Sequence, residues 1–350
     1  MAALRARLRA YRGNLLLLLG GIAFGLLAAE LATRLVAPQR LTRAFIPEVG
    51  QMASIHRLDA NMGLVLKSHL DEAFIFGTHL TTNSLGLRDR EIGPKQPGEL
   101  RVLSLGDSYA FGYGVELEQM YAKVLERGLS RQLSPTIVSV INAGVVGYGT
   151  QQQRIAFQRL RRKLQPDFVL ATFTAGNDVY ENAIFEEQLR THLQTPLGLV
   201  GRHSHLVRLL LKVTFPVWFF LENRDTDHIA HTIELLRELE SDFRSAQVPY
   251  LILVIPARHQ IRPEVEPVAK ILMDLGFDGL VFRQNQLVIQ HLREDSVPFV
   301  DLWGPLVARD QQRRVSFTDD SHLNAIGHEV IAQQILTRLT DALAANQHRR

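Results

Sequence analysis

The sequence predicts an α/β protein: a three-layer α/β/α fold built on a doubly wound, five-stranded parallel sheet and preceded by an N-terminal transmembrane helix. Three observations carry this. Short, nearly unbroken apolar runs at 102–105, 137–141, 168–173, 250–255 and 299–302 have the pattern of strands buried on both faces. Stretches with helical periodicity at 117–129, 151–164, 229–244 and 281–293 separate them, and 325–343 closes the chain. Before all of these stands one long apolar segment behind a basic flank.

That flank contains Arg5, Arg7, Arg9 and Arg12, and the apolar run from Leu15 to Ala29 continues past Glu30 and Arg34 until Pro38 ends the helix. A helix over 14–36 would reach roughly 34 Å at 1.5 Å per residue, enough to cross a hydrocarbon core of about 30 Å. Glu30 and Arg34 are four apart, so they share a face and can pair or sit at the far interface. The basic end is assigned to the cytoplasm, giving residues 1–13 a cytoplasmic position, 14–36 the span, and everything after Pro38 an extracytoplasmic one. A cleaved signal peptide is the alternative, without a small-x-small cleavage site to support it.

Composition bounds the rest. The chain has 350 residues and is 46% hydrophobic, enough for one sizeable core plus an appendage. Its 39 basic and 36 acidic residues nearly balance, which argues against a nucleic-acid binder. The absence of cysteine excludes a disulfide framework, a thiolate zinc site, a cysteine nucleophile and a lipoprotein-type cysteine anchor.

Residues 37–98 lack long periodic runs and read as an irregular extracytoplasmic linker or accessory segment. Within it 73–80 reads as a strand and 81–89 as a turn-rich connection; Pro94 and Pro97-Gly98 mark the boundary of the main domain, 99–345. Read as a turn, the stretch Asn83-Ser-Leu-Gly-Leu-Arg88 leaves Arg88 to pair with an acid at the surface.

The chemistry gathers at the ends of the predicted strands, where open α/β sheets bind ligands. The first strand stops at Gly106-Asp107-Ser108, a sharp strand-loop-helix turn that would expose one hydroxyl. After the second comes Asn142-Ala-Gly-Val-Val-Gly147, whose glycines allow close approach of a backbone N–H. After the third comes Gly176-Asn177-Asp178, with an amide able to face a developing oxyanion, although a Gly-Asn-Asp turn is more commonly just an Asx-turn. Beyond the fifth lies Asp319-Asp-Ser-His322. A serine hydroxyl needs a base within hydrogen-bond reach, and that base needs a carboxylate to hold its tautomer. An Asp three residues before a His supplies both locally; His259 and His328 have no carboxylate at that spacing. Nucleotide binding is unsupported, since Leu117 stands where a third dinucleotide glycine belongs and no Gly-Lys-Ser or Gly-Lys-Thr occurs.

In this order the four blocks resemble the SGNH, or GDSL, hydrolases over about residues 99–343. The resemblance implies a flavodoxin-like sheet, Ser108 as nucleophile, His322 as general base and Asp319 as its orienting carboxylate. It further implies an oxyanion hole of the Ser108 and Gly147 N–H groups and the Asn177 side chain, with neither metal nor cofactor. Gly-x-Ser-x-Gly is absent because Ala110 occupies the last position, so nucleophile-elbow hydrolases fit less well. An insertion at about 184–228 carries an apolar run, 209–221, too short and too interrupted by Lys212 and Pro216 to cross a membrane. It reads as a lid or interfacial patch presenting Trp218 and Phe219, or as an extra helix packed on the core. The expected protein is a single-pass inner-membrane serine esterase with a periplasmic catalytic domain, acting on an acylated polysaccharide or a lipid. A polysaccharide O-acetyltransferase with the same triad and a non-catalytic envelope scaffold are the alternatives.

Overall fold

The computed structural model describes residues 2–37, 54–71, 73–191, 204–207, 209–210, 221, 224–318 and 320–347. The chain divides into two compact units, one of Met1–Met52 with Leu193–Trp218, the other of Ala53–His192 with Phe219–Arg350.

In the first unit, helix Ala2–Val36 contains the stretch Leu17–Val36, of mean hydropathy 1.5, which is long and apolar enough to cross a membrane. Among the described residues, Leu17, Leu18, Leu19, Phe24, Leu26, Leu27, Leu31 and Leu35 are all exposed. Glu30 and Arg34 do pair, at 2.6 Å. The same carboxylate also accepts from the Ser204 hydroxyl and from the N–H groups of His205 and Leu206, at 2.7, 2.9 and 2.8 Å. The part of the insertion just before its apolar run is thereby tied to the helix, while Trp218 and Phe219 lie outside the described residues.

The second unit holds the five-stranded sheet. Its strands are β5 (Leu100–Leu105), β6 (Val138–Asn142), β7 (Phe168–Thr174), β8 (Tyr250–Ile255) and β9 (Phe299–Asp301). Before them come two antiparallel ribbons, β1 (His56–Asp59) with β2 (Gly63–Leu66) and β3 (Ala73–Ile75) with β4 (Thr78–Leu80). The sheet is parallel throughout in the order β6-β5-β7-β8-β9. Its switch point therefore lies between β5 and β7, the first and third strands of the sheet, where an α/β fold opens a crevice at the carboxyl ends.

Strand residues alternate between two clusters, which is why the runs are apolar at every position. Val102, Leu170, Leu251, Leu253 and Ile255 face Tyr121, Leu125, Ile331 and Ile335 of helices Tyr121–Gln132 and Ala325–Gln347. Leu103, Leu105, Val169, Ile252 and Val254 face Phe157, Leu236 and Phe243 of helices Thr150–Leu164 and Thr226–Ser245. These are the outer layers, and each fully buried large side chain contributes roughly 1.5–3 kcal/mol. Ile55, Met62, Leu66, Ile75, Leu80 and Leu87 join the second cluster, so the segment before the sheet is packed into the same core.

Three readings of local structure change. The stretch 73–80 is a hairpin, because Phe76 and Gly77 both take positive φ, 56° and 78°, and form the two-residue turn that reverses the chain. The helix expected at 117–129 is a 3-10 turn, Leu117–Gln119, followed by Tyr121–Gln132, with Met120 extended between them. The helix expected at 281–293 is likewise two, Asp278–Val281 and Arg283–Glu294, parted at Phe282.

Candidate active site

β5 ends at Leu105, and the next turn is made possible by glycine: a Cβ at Gly106 would lie 2.7 Å from the Ala110 Cβ. Asp107 then caps the short helix Ser108–Phe111, its Oδ1 accepting the Tyr109 N–H at 2.9 Å. Ser108 thus stands at the helix start at the carboxyl end of β5. The turn after β6 runs alongside. Val145 N–H donates to Gly106 O at 3.0 Å, and a Cβ at Gly144 would lie 2.5 Å from Phe111 N. Gly147, two residues after Val145, has φ +79°, and a side chain there would meet nothing within 4 Å, so the space beside its Cα is open.

The loop before the last helix brings in the imidazole. Asn324 Oδ1 accepts the N–H groups of Ile326 and Gly327, capping helix Ala325–Gln347. A single bridge pairs Ser316 with Leu323, closing the loop on itself. Arg258, just after β8, donates from Nη1 to Asp320 O at 3.1 Å and from Nη2 to Thr318 O at 2.8 Å. The Tyr109 hydroxyl donates to Ser321 O at 3.0 Å; burial pushes that phenol well above its ordinary pKa, so it remains a donor.

Held in this way, His322 Nε2 lies 2.7 Å from Ser108 Oγ. Its Nδ1 lies 2.5 Å from Asp320 Oδ1, which also accepts the His322 backbone N–H at 2.9 Å. A carboxylate can only accept, so Nδ1 carries the ring proton and Nε2 of the neutral ring is free to accept from the serine hydroxyl. The Tyr113 ring stacks on the imidazole, centroids 4.0 Å apart and planes 18° apart. Asp319, the carboxylate named by the sequence pattern, lies outside the described residues. The described carboxylate in contact with the imidazole is its neighbour Asp320, a residue the three-residue spacing did not single out.

Asn177 follows β7 and donates from Nδ2 to Asp107 Oδ2 at 3.2 Å, and its side chain also hydrogen-bonds the Glu181 carboxyl. Beneath it Asp107, Asp178 and Glu181 bring carboxylate oxygens within 4.8 Å of one another, and no other group among the described residues has such cation-ligand spacing. Burial raises all three above the usual carboxylate range, and for Asp178 and Glu181 the neighbouring carboxylates add to it. Asp107 already accepts from Tyr109 and Asn177, and Asp178 Oδ2 accepts the Thr174 N–H at 2.9 Å. The cluster therefore serves as a floor of acceptors that orients the amide.

The remaining histidines of interest are structural. His328 Nδ1 accepts the Tyr121 N–H at 3.2 Å, and burial depresses its pKa to about 3. His259 accepts from Arg224 at 2.8 Å and is depressed, again chiefly by burial, to about 3.

In sequence, the model of the GDSL-like lipase/acylhydrolase family matches residues 104–330. No curated protein matches the chain. Among solved structures, an α/β hydrolase enzyme from the metagenome of Lake Arreo, Spain, is similar at 18% identity and TM-score 0.41, over 68% of this chain and 94% of that one. A member of the lipolytic protein G-D-S-L family from Veillonella parvula DSM 2008 is similar at 15% identity and TM-score 0.42, over 69% and 98%. A catalytic mutant of an acetylxylan esterase from Geobacillus stearothermophilus is similar at 14% identity and TM-score 0.42, over 70% and 94%.

Proposed function

The chain belongs to the GDSL-like lipase/acylhydrolase family, and from that premise we propose that this serine ester hydrolase is anchored in the membrane and removes O-acyl groups, acetyl foremost, from an envelope polysaccharide or a lipid outside the cytoplasm. The observation that carries the chemistry is the 2.7 Å contact between Ser108 Oγ and His322 Nε2, with Nδ1 already engaged by a carboxylate.

In this reading Ser108 Oγ attacks the ester carbonyl carbon while its proton passes to His322 Nε2. The carbonyl oxygen becomes an oxyanion facing the N–H groups of Ser108 and Gly147 and the side-chain amide of Asn177. His322 returns the proton to the departing alkoxide as the C–O bond breaks, leaving an acyl-serine. Water then attacks that acyl group, losing a proton to His322, and the collapse of the second tetrahedral species frees the carboxylic acid and restores Ser108. The carboxylate that steadies the imidazolium comes from the pair Asp319-Asp320, and the contact favours Asp320.

Asn177→Ala removes one of three oxyanion donors, and kcat should fall about 100- to 1000-fold with KM little changed. An unchanged kcat would take Asn177 out of the oxyanion hole and leave it as a partner of Asp107.

Anchoring rests on the exposed apolar stretch Leu17–Val36 and the basic residues before it. The membrane fraction should hold a protein with an intact N terminus after an alkaline wash. A mature chain beginning near residue 30 would instead mean a cleaved leader. The extracytoplasmic setting puts acylated glycans and lipids within reach, and the substrate is tested with purified full-length protein in detergent. Free acetate released from an acetylated glycan supports hydrolysis. Acetyl groups appearing on an added glycan acceptor at the expense of free acetate would make the same site an O-acetyltransferase.

A further inference from the structure

Residues 83–91 precede the stretch matched by the family model, yet they grip the turn that follows the nucleophile. Arg88 is 1% exposed, so it is buried and not at the surface where the sequence reading put it. Its Nη1 donates to Phe111 O at 3.1 Å and Gly112 O at 2.6 Å; its Nη2 donates to Val115 O at 2.7 Å and His79 O at 3.2 Å. The guanidinium carbon also lies 4.9 Å from the centroid of the Phe111 ring. One planar cation thus holds three carbonyls of the 111–115 turn in a fixed fork, an arrangement that an ammonium group cannot reproduce.

The segment is itself braced. Asn83 Oδ1 accepts the N–H groups of Leu85 and Leu87 at 2.9 and 3.1 Å. The next residue, Asp89, pairs with buried Lys123 at 2.6 Å and accepts the Asn142 N–H at 2.8 Å, at the end of β6 where the Gly147 turn begins. Arg88 and Asp89 therefore tie together the two turns that flank Ser108.

The gripped turn carries Tyr113, whose ring stacks on His322 at 4.0 Å. Phe76 stacks on the same ring at 4.2 Å and 29°. Two near-parallel rings at that separation occupy opposite faces, so Tyr113 is sandwiched between Phe76 and the imidazole. Phe76 reaches this place from a left-handed backbone conformation, φ 56°, which a bulky residue rarely adopts and which surrounding contacts must maintain.

We propose that Arg88 is a positioning residue for ester hydrolysis: it fixes the 111–115 turn so that Tyr113, backed by Phe76, holds the His322 ring in line with Ser108. This rests on the roles of Ser108 and His322 proposed above. The test uses full-length Arg88→Lys, Arg88→Ala and Phe76→Ala, with active sites counted by a fluorophosphonate titrant, so that kcat refers to folded sites alone. Arg88→Lys should lower kcat per site by about 100-fold, the cost of a small misplacement in a catalytic array, with KM nearly unchanged. Phe76→Ala, which leaves the carbonyl fork intact, should lower it about tenfold by the same mechanism. Millimolar guanidinium chloride should restore part of the activity of Arg88→Ala by occupying the vacated fork. If Arg88→Lys and Phe76→Ala both keep wild-type kcat per titrated site and only the melting temperature falls, the residue merely stabilises the fold and the proposal is overturned. Labelling that persists in Ser108→Ala would instead remove the underlying assignment of the nucleophile, an outcome separable from the first.

Discussion

Ser108→Ala should lose all covalent labelling by a fluorophosphonate, and its kcat on a chromogenic acetyl ester should fall about a millionfold, the scale on which serine hydrolases lose their nucleophile. The size follows from the geometry. Ser108 is the hydroxyl that touches Nε2 of an imidazole whose other nitrogen is engaged, and the substitution leaves no oxygen there to form an acyl-enzyme. His322→Ala should lose about as much, and the double variant no more than either alone, because the two groups act as one unit. Additive losses would mean that they work independently. Ser108 is buried in a short helix capped by Asp107, and alanine keeps that helix, so the melting temperature should barely move. Equal labelling of wild type and Ser108→Ala, or none of either, would leave a chain that keeps the fold without its chemistry.

What the sequence disclosed, and what it concealed, has a physical basis in particular residues. The runs at 168–173 and 250–255 were legible as central strands because both faces of β7 and β8 are buried, which forces an apolar residue at nearly every position. The serine, the glycine turn and the amide were placed by the strands they follow, β5, β6 and β7, whereas the imidazole lies on a loop that a further helix, Trp303–Gln312, separates from β9. Arg88 was not legible. Its partners are backbone carbonyls, which leave no mark in the sequence, and a buried arginine reads like any surface one until the turn it grips is in place. The hairpin at 73–80 was hidden for a related reason: Gly77 signals a turn, but phenylalanine at the preceding left-handed position does not. Met120 breaks a helical pattern without a glycine or proline to announce it. The three-residue spacing singled out Asp319 alone, and the aspartate beside it, which the structure sets against the imidazole, opens an ambiguity that spacing does not reveal.

That ambiguity yields the second large effect. One of the substitutions Asp319→Asn and Asp320→Asn should lower kcat about 10,000-fold near neutral pH, as replacing the carboxylate behind a catalytic histidine does, while the other changes it less than about tenfold. The contact assigns the large loss to Asp320→Asn. Asp320 Oδ1 accepts from Nδ1 and so keeps Nε2 unprotonated towards Ser108. An asparagine can present its NH2 group at the same point, and Nδ1 must then become the acceptor, which moves the ring proton to Nε2. There it opposes the serine hydroxyl instead of receiving its proton. The loop should survive, because Arg258 holds the Asp320 carbonyl and Tyr109 the Ser321 carbonyl, both on the backbone. Unchanged melting with a collapsed kcat is therefore the signature expected of Asp320→Asn. Should Asp319→Asn carry the loss instead, the carboxylate is the one at the three-residue spacing, and Asp320 serves through its carbonyl and its grip on the His322 N–H. Mild effects from both singles and from the double variant would reduce the site to a serine-histidine pair, in which the imidazole is oriented by Tyr113 and the loop alone.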